Sequence, residues 1–193
     1  MKKDLKCNIG LFSMDENNPR IKAHCAENGL ACVYENGYVT IMKGNWKIRV
    51  LPARDIPLTY EGKAVHNINN CLPAVLSSYL FRDITIDDIK TGLQTFIPSE
   101  SLTPGRLNFF HFQHFTMLSD FAHNPHGLKL LCDFVSKLDC PIEIGVMSVT
   151  GERRHEDIRE LGEISARYFD EIIIRCDKNL RRRTAEEIIE LLQ

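Results

Sequence analysis

The chain is 193 residues long, 44% apolar and 26% charged, the balance of a soluble globular protein with one medium domain or parts of two. Its 24 basic and 26 acidic side chains leave a formal charge of -2, so no bulk field draws in nucleic acid or an anionic membrane surface. No apolar run approaches the roughly 20 residues of a bilayer span, and Met1-Lys2-Lys3-Asp4 opens no signal peptide.

Seven cysteines with no C-x-x-C pair argue against a disulfide framework or a zinc ribbon and for a reducing cytoplasm. Residues 7–13 read as a short strand, ending in the turn-rich Asp15-Glu16-Asn17-Asn18-Pro19. Extended runs at 31–34, 38–42 and 46–51 follow. Asn36-Gly37, a strong hairpin signal, lies between the first two, so 31–51 is expected to be a β-meander. Helical spacing covers 66–80, where Pro73 must start a new first turn or kink the helix. It resumes with Ile86, Ile89, Leu93 and Phe96 behind Thr85 as N-cap.

The pattern breaks at 97–105, the best candidate for a domain boundary. Beyond it the spacing predicts strands at 107–113 and 115–121, a helix at 125–138, a strand at 142–149, a helix at 154–168, a strand at 170–176 and a helix from 184. The strands at 142–147 and 171–174 are β-branched and nearly continuous, as buried parallel strands are. This alternation implies an α/β layered domain. The first 100 residues show a meander and two helices but no closed core, and the last helix simply stops. The chain reads as a piece of something longer.

Chemistry concentrates at strand-to-helix junctions. In Asp120-Phe121-Ala122-His123-Asn124-Pro125, Asn124 stands at an N-cap position and Pro125 at the first helical one. Such a junction favours phosphate or carboxylate. Asp120 is suited to ribose hydroxyls and His123 to a phosphate; equally, Asp120 could only pin the turn and Asn124 only cap the helix. Arg106, after the turn Pro104-Gly105, suits a phosphate group or a solvated surface contact. Arg153 and Arg154 could hold phosphate or a substrate carboxylate, whereas Glu156 and Asp157 also fit the helix dipole without any function. Asn67 and Asn70, at i and i+3, share a helix face and could read an adenine edge, or one of them could merely cap the helix. Two histidine pairs, His111 with His114 and His123 with His126, lack the partners a metal site needs, so no metal is expected. The chain has no G-x-x-x-x-G-K-[ST] phosphate loop and no G-x-G-x-x-G.

Taken in order, His66-Asn67-x-x-Asn70, Pro104-Gly105-Arg106-Leu107-Asn108, Asp120-Phe121-Ala122-His123-Asn124-Pro125 and the run from Gly151-Glu152-Arg153-Arg154 to Gly162 resemble the Mur ligase superfamily. The stretches Phe169-Asp170-Glu171-Ile172 and Leu180-Arg181-Arg182-Arg183 point to the branch that joins arginine to the side chains of a poly-aspartate backbone. The resemblance implies that residues 1–102 end the central ATPase domain, an incomplete α/β remnant. Residues 103–193 would then be the Rossmann-like C-terminal ligase domain, cut short. It implies ATP and magnesium as cofactors of the intact enzyme, with none bound tightly by this piece. Arginine and a poly-aspartate primer would be the partners, an acyl phosphate the intermediate, and the parent a cytoplasmic homo-oligomer. Carried over residue by residue, Asn67 and Asn70 would contact adenine, Arg106 and His123 the phosphates and Asp120 the ribose, with Asn124 capping the adjoining helix.

Several positions depart from the family pattern. Phe121 replaces the usual tyrosine, Glu152 and His155 stand where aspartates are common, and Arg182 replaces glycine. The missing phosphate loop predicts that the 193 residues alone carry no ligase activity, since losing even one preorganised donor costs about 10²–10³ in rate. Two other readings remain: a Mur-type ligase piece acting on peptidoglycan or poly-glutamate, and a non-catalytic α/β module that binds a nucleotide or a partner.

Overall fold

In the run Ala31-Cys32-Val33 every side chain is fully buried, and alternation along a strand allows this only if both faces of its sheet are covered. The computed structural model, which describes residues 6–149, 153–175, 180 and 183–192, shows how. It divides into two compact units, Met1–Ser99 and Glu100–Gln193, each described here by itself.

In the first unit, β1 (Gly10–Ser13) runs parallel to β2 (Leu30–Glu35). β2 then continues antiparallel through β3 (Tyr38–Lys43) to β4 (Trp46–Pro52), in the order β1-β2-β3-β4. The β2–β3 turn is Asn36-Gly37, with φ of 49° and 86°, the paired left-handed residues of a type I′ hairpin. Helix α1 (Pro19–Ala26) links β1 to β2, with Asn18 accepting a hydrogen bond from the Arg20 N–H and Pro19 at the helix start. It was not anticipated from the sequence, where Asn18-Pro19 reads as a turn.

One face of β2 packs Ala31 and Val33 against Ile21 and Cys25 of α1. The other face packs Cys32, with Val39 and Ile41 of β3, against Cys71, Leu72, Val75 and Leu76 of α2 (Val65–Tyr79). The unit therefore does close a core, contrary to the expectation from sequence. α1 supplies the layer that was missing. Pro73 lies inside α2 and the helix runs on through it. The carbonyl left without its helical donor is that of Asn69, an exposed residue. α3 (Ile86–Thr95) starts on a capping box between Thr85 and Asp88 and adds Ile89 to the same core.

In the second unit, β5 (Asn108–His111) and β6 (Thr116–Ser119) form an antiparallel hairpin. His114 falls in its turn, between the two strands. Phe109 of β5 meets Phe134 of α4 (Pro125–Val135) edge to face, seating the hairpin on that helix. β7 (Ile144–Met147) and β8 (Glu171–Ile174) pair in parallel, joined by α5 (His155–Tyr168) as the crossover. α6 (Ala185–Leu192) follows. A core of Leu128 and Cys132 from α4, Ile158, Leu161 and Ile164 from α5, and Ile188 and Leu191 from α6 joins these helices and reaches the ribbon at Met147 of β7. Gly162 lets α5 and α6 approach, since a Cβ there would lie 2.3 Å from the Leu192 carbonyl oxygen.

The ribbon's other face carries Ile144, Val146 and Ile173, each at least half exposed. These strands are parallel as expected but not buried on both sides. Their β-branched run reports apolar character on two faces, yet Ile172, on the face opposite Ile173, is also more than a third exposed. β6 and β7 belong to separate sheets among the described residues, so no ladder places the ends of β6 and β7 on one common sheet edge.

Candidate functional site

Four of the candidate residues come together in the second unit, where the chain passes twice through one junction: the loop 103–108 before β5, and 120–124 between β6 and α4. The first pass turns through two left-handed residues, Gly105 at φ 66° and Leu107 at φ 48°. Leucine is buried there, and for a residue with a branched side chain that backbone costs about 1–3 kcal/mol. The surrounding hydrogen bonds hold it. Asp120 Oδ2 accepts from the Leu107 N–H at 3.0 Å, and the Phe121 N–H donates to the Gly105 carbonyl at 2.8 Å.

Asn108, also buried, completes the lacing. Its Oδ1 accepts from the Gly105 N–H at 2.7 Å, while Nδ2 donates to the carbonyls of Thr103 at 3.0 Å and Arg106 at 3.4 Å. The sequence signal for this role of Asn108 is a side-chain amide three residues after a turn glycine.

The lacing presents charge outward. The Arg106 guanidinium lies over the Phe121 ring, 5.6 Å from its centre, within the range of a cation–π contact. His123 sits against the same ring, 4.9 Å between centres, and its Nδ1 lies 3.0 Å from the Phe121 carbonyl oxygen. A carbonyl only accepts, so Nδ1 carries the proton and Nε2 is the nitrogen left for another partner. Asn124 caps α4, accepting from the Gly127 N–H at 2.8 Å, with Pro125 in the first helical position. Arginine, a carboxylate oxygen, an imidazole nitrogen and the positive end of a helix are thus gathered on one short stretch of surface. That donor set suits a phosphorylated ligand carrying hydroxyl groups.

The other candidates lie elsewhere. Asn67 and Asn70 belong to the first unit, on α2. Asn67 is buried and donates through Nδ2 to the Leu58 carbonyl at 2.8 Å; its Oδ1 accepts from Asn70 Nδ2 at 3.3 Å. It ties the preceding loop to the helix, and Asn70 is the member of the pair that is exposed.

At the start of α5, Arg154 grips Asp157 with two hydrogen bonds of 3.1 and 2.7 Å, and this bond holds the Asp157 carboxyl below the usual carboxylate range. The Arg153 carbonyl accepts from Arg183, and Glu156 is exposed. Gly151, Glu152, Arg181 and Arg182 lie outside the described residues. No group of three or more His, Cys, Asp or Glu able to hold a metal ion is found among the described residues, and none of the described helices is long and apolar enough to cross a membrane.

No family model matches the chain. Among solved structures, a folylpolyglutamate synthase from Thermotoga maritima superposes with a TM-score of 0.59 at 14% identity, over 97% of this chain and 45% of that one. MurF from Acinetobacter baumannii gives 0.53 at 17% identity, over 86% and 38%. The fold is that of the Mur-type ligases. By sequence, the cyanophycin synthetase of Synechocystis sp. is 39% identical over 188 residues, 97% of this chain and 21% of the relative. The chain belongs to the Mur ligase superfamily, in the stretch it shares with cyanophycin synthetases. It spans about a fifth of the length of these curated relatives.

Proposed function

We propose that these residues form part of an ATP-dependent ligase of the cyanophycin type, which joins arginine to aspartate side chains of a poly-aspartate backbone. In this reading residues 1–102 end the central ATPase domain and 103–193 begin the C-terminal ligase domain. The observation that carries it is the junction where Arg106, Asp120 and His123 are held by one laced backbone at the start of α4.

ATP, with magnesium, would supply the phosphoryl group that activates the acid as an acyl phosphate. In the second unit, Arg106 and, when it too carries a proton, the His123 Nε2 would hold phosphate oxygens, and the Asp120 Oδ1 would accept from a ribose hydroxyl; in the first unit, the exposed Asn70 is the amide suited to an adenine edge. Asn67 supports this indirectly, by fixing Asn70 and the loop before α2. Arg154 and Asp157 hold one another, so Arg153 and Glu156 remain the candidates for the incoming amino acid. The site is read as cytoplasmic, and the 193 residues alone, which lack a phosphate loop, as inactive.

The test is ADP release by the full-length polypeptide with a poly-aspartate primer, with and without arginine. Release that depends on arginine and falls at least tenfold in Arg106→Ala and Asp120→Asn supports both substrate and site. Asparagine is chosen because it preserves an acceptor for the Leu107 N–H. Arginine-independent release would sink the substrate assignment, and unchanged release in both variants would sink the site.

A further inference from the structure

The backbone on either side of Arg106 is paired at every polar atom. In the peptide before it, the Gly105 carbonyl accepts from the Phe121 N–H at 2.8 Å, and the Arg106 N–H donates to the Thr103 carbonyl at 3.1 Å. In the peptide after it, the Arg106 carbonyl accepts from Asn108 Nδ2 at 3.4 Å, and the Leu107 N–H donates to Asp120 Oδ2 at 3.0 Å. With both flanking peptide planes held, the Arg106 Cα–Cβ direction is set by the loop rather than by the side chain's own contacts.

Asn108 is common to three of the loop's bonds. Its amide reaches Thr103, Gly105 and Arg106 together, and it does so from the first residue of β5, anchored by pairing with Ser119. An exposed arginine has a long flexible stem, and a single cation–π contact does not immobilise it. The lacing removes the backbone share of that freedom before any ligand arrives, which is how preorganisation raises affinity.

We infer that Asn108 is a positioning residue for phosphate recognition, acting through Arg106: its carboxamide holds the 103–107 loop in the one conformation that lays the guanidinium over Phe121. The inference rests on Arg106 being a phosphate-holding group.

Two measurements test it, the first on the 193-residue chain and the second on the full-length polypeptide. The first needs no ligand: nuclear Overhauser contacts between the Arg106 δ protons and the Phe121 ring, in wild type and in Asn108→Asp. Aspartate keeps an acceptor for the Gly105 N–H and replaces the donors to Thr103 and Arg106 by a carboxylate oxygen, and a melting curve confirms that the variant folds. The second is ADP affinity of the full-length polypeptide, by calorimetric titration, for wild type, Asn108→Asp, Arg106→Ala and the double variant. The expected result is loss of the Arg106–Phe121 contact and about a five- to tenfold weaker ADP affinity in Asn108→Asp, with no further loss when it is added to Arg106→Ala.

A contact that persists in Asn108→Asp overturns the inference, as does an ADP loss that remains in the Arg106→Ala background, because a merely structural defect would persist there. If ADP does not bind the wild type, or Arg106→Ala binds it normally, the phosphate reading of Arg106 is wrong and the inference falls with it. The contact measurement still reports separately whether Asn108 sets the arginine.

Discussion

The two parallel strand pairs among the described residues have contrasting surroundings. β2 is covered by α1 on one face and α2 on the other, and its Ala31, Cys32 and Val33 are fully buried. In β7–β8, Met147 packs against the core of α4, α5 and α6, while Ile144, Val146, Ile172 and Ile173 stand exposed. A β-branched run therefore records how many faces of a strand tolerate burial, not how many are buried. The helices between strands decide which.

The sharpest contrast is in the cost of truncation. Leu72, fully buried between α2 and the four-stranded sheet, is expected to lose about 2–5 kcal/mol on substitution by alanine. Urea denaturation of the variant and wild type measures it. A loss below 1 kcal/mol would mean that the first unit does not hold this packed core in solution.

A charge tests the same sheet differently. The Glu35 side chain is almost wholly buried and is bonded to the half-exposed Lys47. That hydrogen bond, helped by the lysine's charge, lowers the Glu35 carboxyl below its ordinary value of 4.5 against the opposing effect of burial. A depressed carboxylate contributes stability that is complete above the unfolded value and is lost as pH falls through the folded one. Lys47→Met should destabilise by about 1–3 kcal/mol at neutral pH, since it leaves the buried carboxylate without its strongest partner. It should also move the acid-unfolding midpoint upward. An unchanged acid midpoint would show that Lys47 is not the group that holds Glu35 ionised.

Asn67 and Asn70 separate a folding role from a binding one on a single helix. Asn67→Ala leaves the Leu58 carbonyl without its donor and should cost about 1–2 kcal/mol, whereas exposed Asn70→Ala should stay within about 0.5 kcal/mol. Thermal melts of the two variants decide. Equal losses would erase the distinction and return both residues to a purely structural account.

Parts of this were legible beforehand for identifiable reasons. Asn36-Gly37 announced its hairpin because both positions need a left-handed backbone, and Asn124-Pro125 announced a helix start because cap and first-turn chemistry are local. Asn18-Pro19 carries the same local chemistry, but α1 is only eight residues long and its preceding acids and amides look like a turn. Missing α1 meant missing the second layer of the first core. The inward turn of Asn67 was not readable, because an amide bonded to Leu58 and an amide facing a ligand use the same residue at the same spacing. The lacing by Asn108 depends on the loop meeting 120–121 in space, a contact between residues more than ten positions apart.

The smallest expected effect returns to the open ribbon. Val146 is two-thirds exposed on β7, opposite Ile173 of β8. Val146→Thr keeps the β-branched shape and strand preference while adding one hydroxyl, so on an uncovered face it should change stability by no more than about 0.5 kcal/mol. On a covered face the same hydroxyl would be buried without a partner and cost about 1–3 kcal/mol. Urea denaturation at low and high protein concentration distinguishes the two. A small, concentration-independent effect keeps the contrast with β1–β2, whereas a large one means the ribbon acquires a second layer in solution and the two strand pairs are built alike.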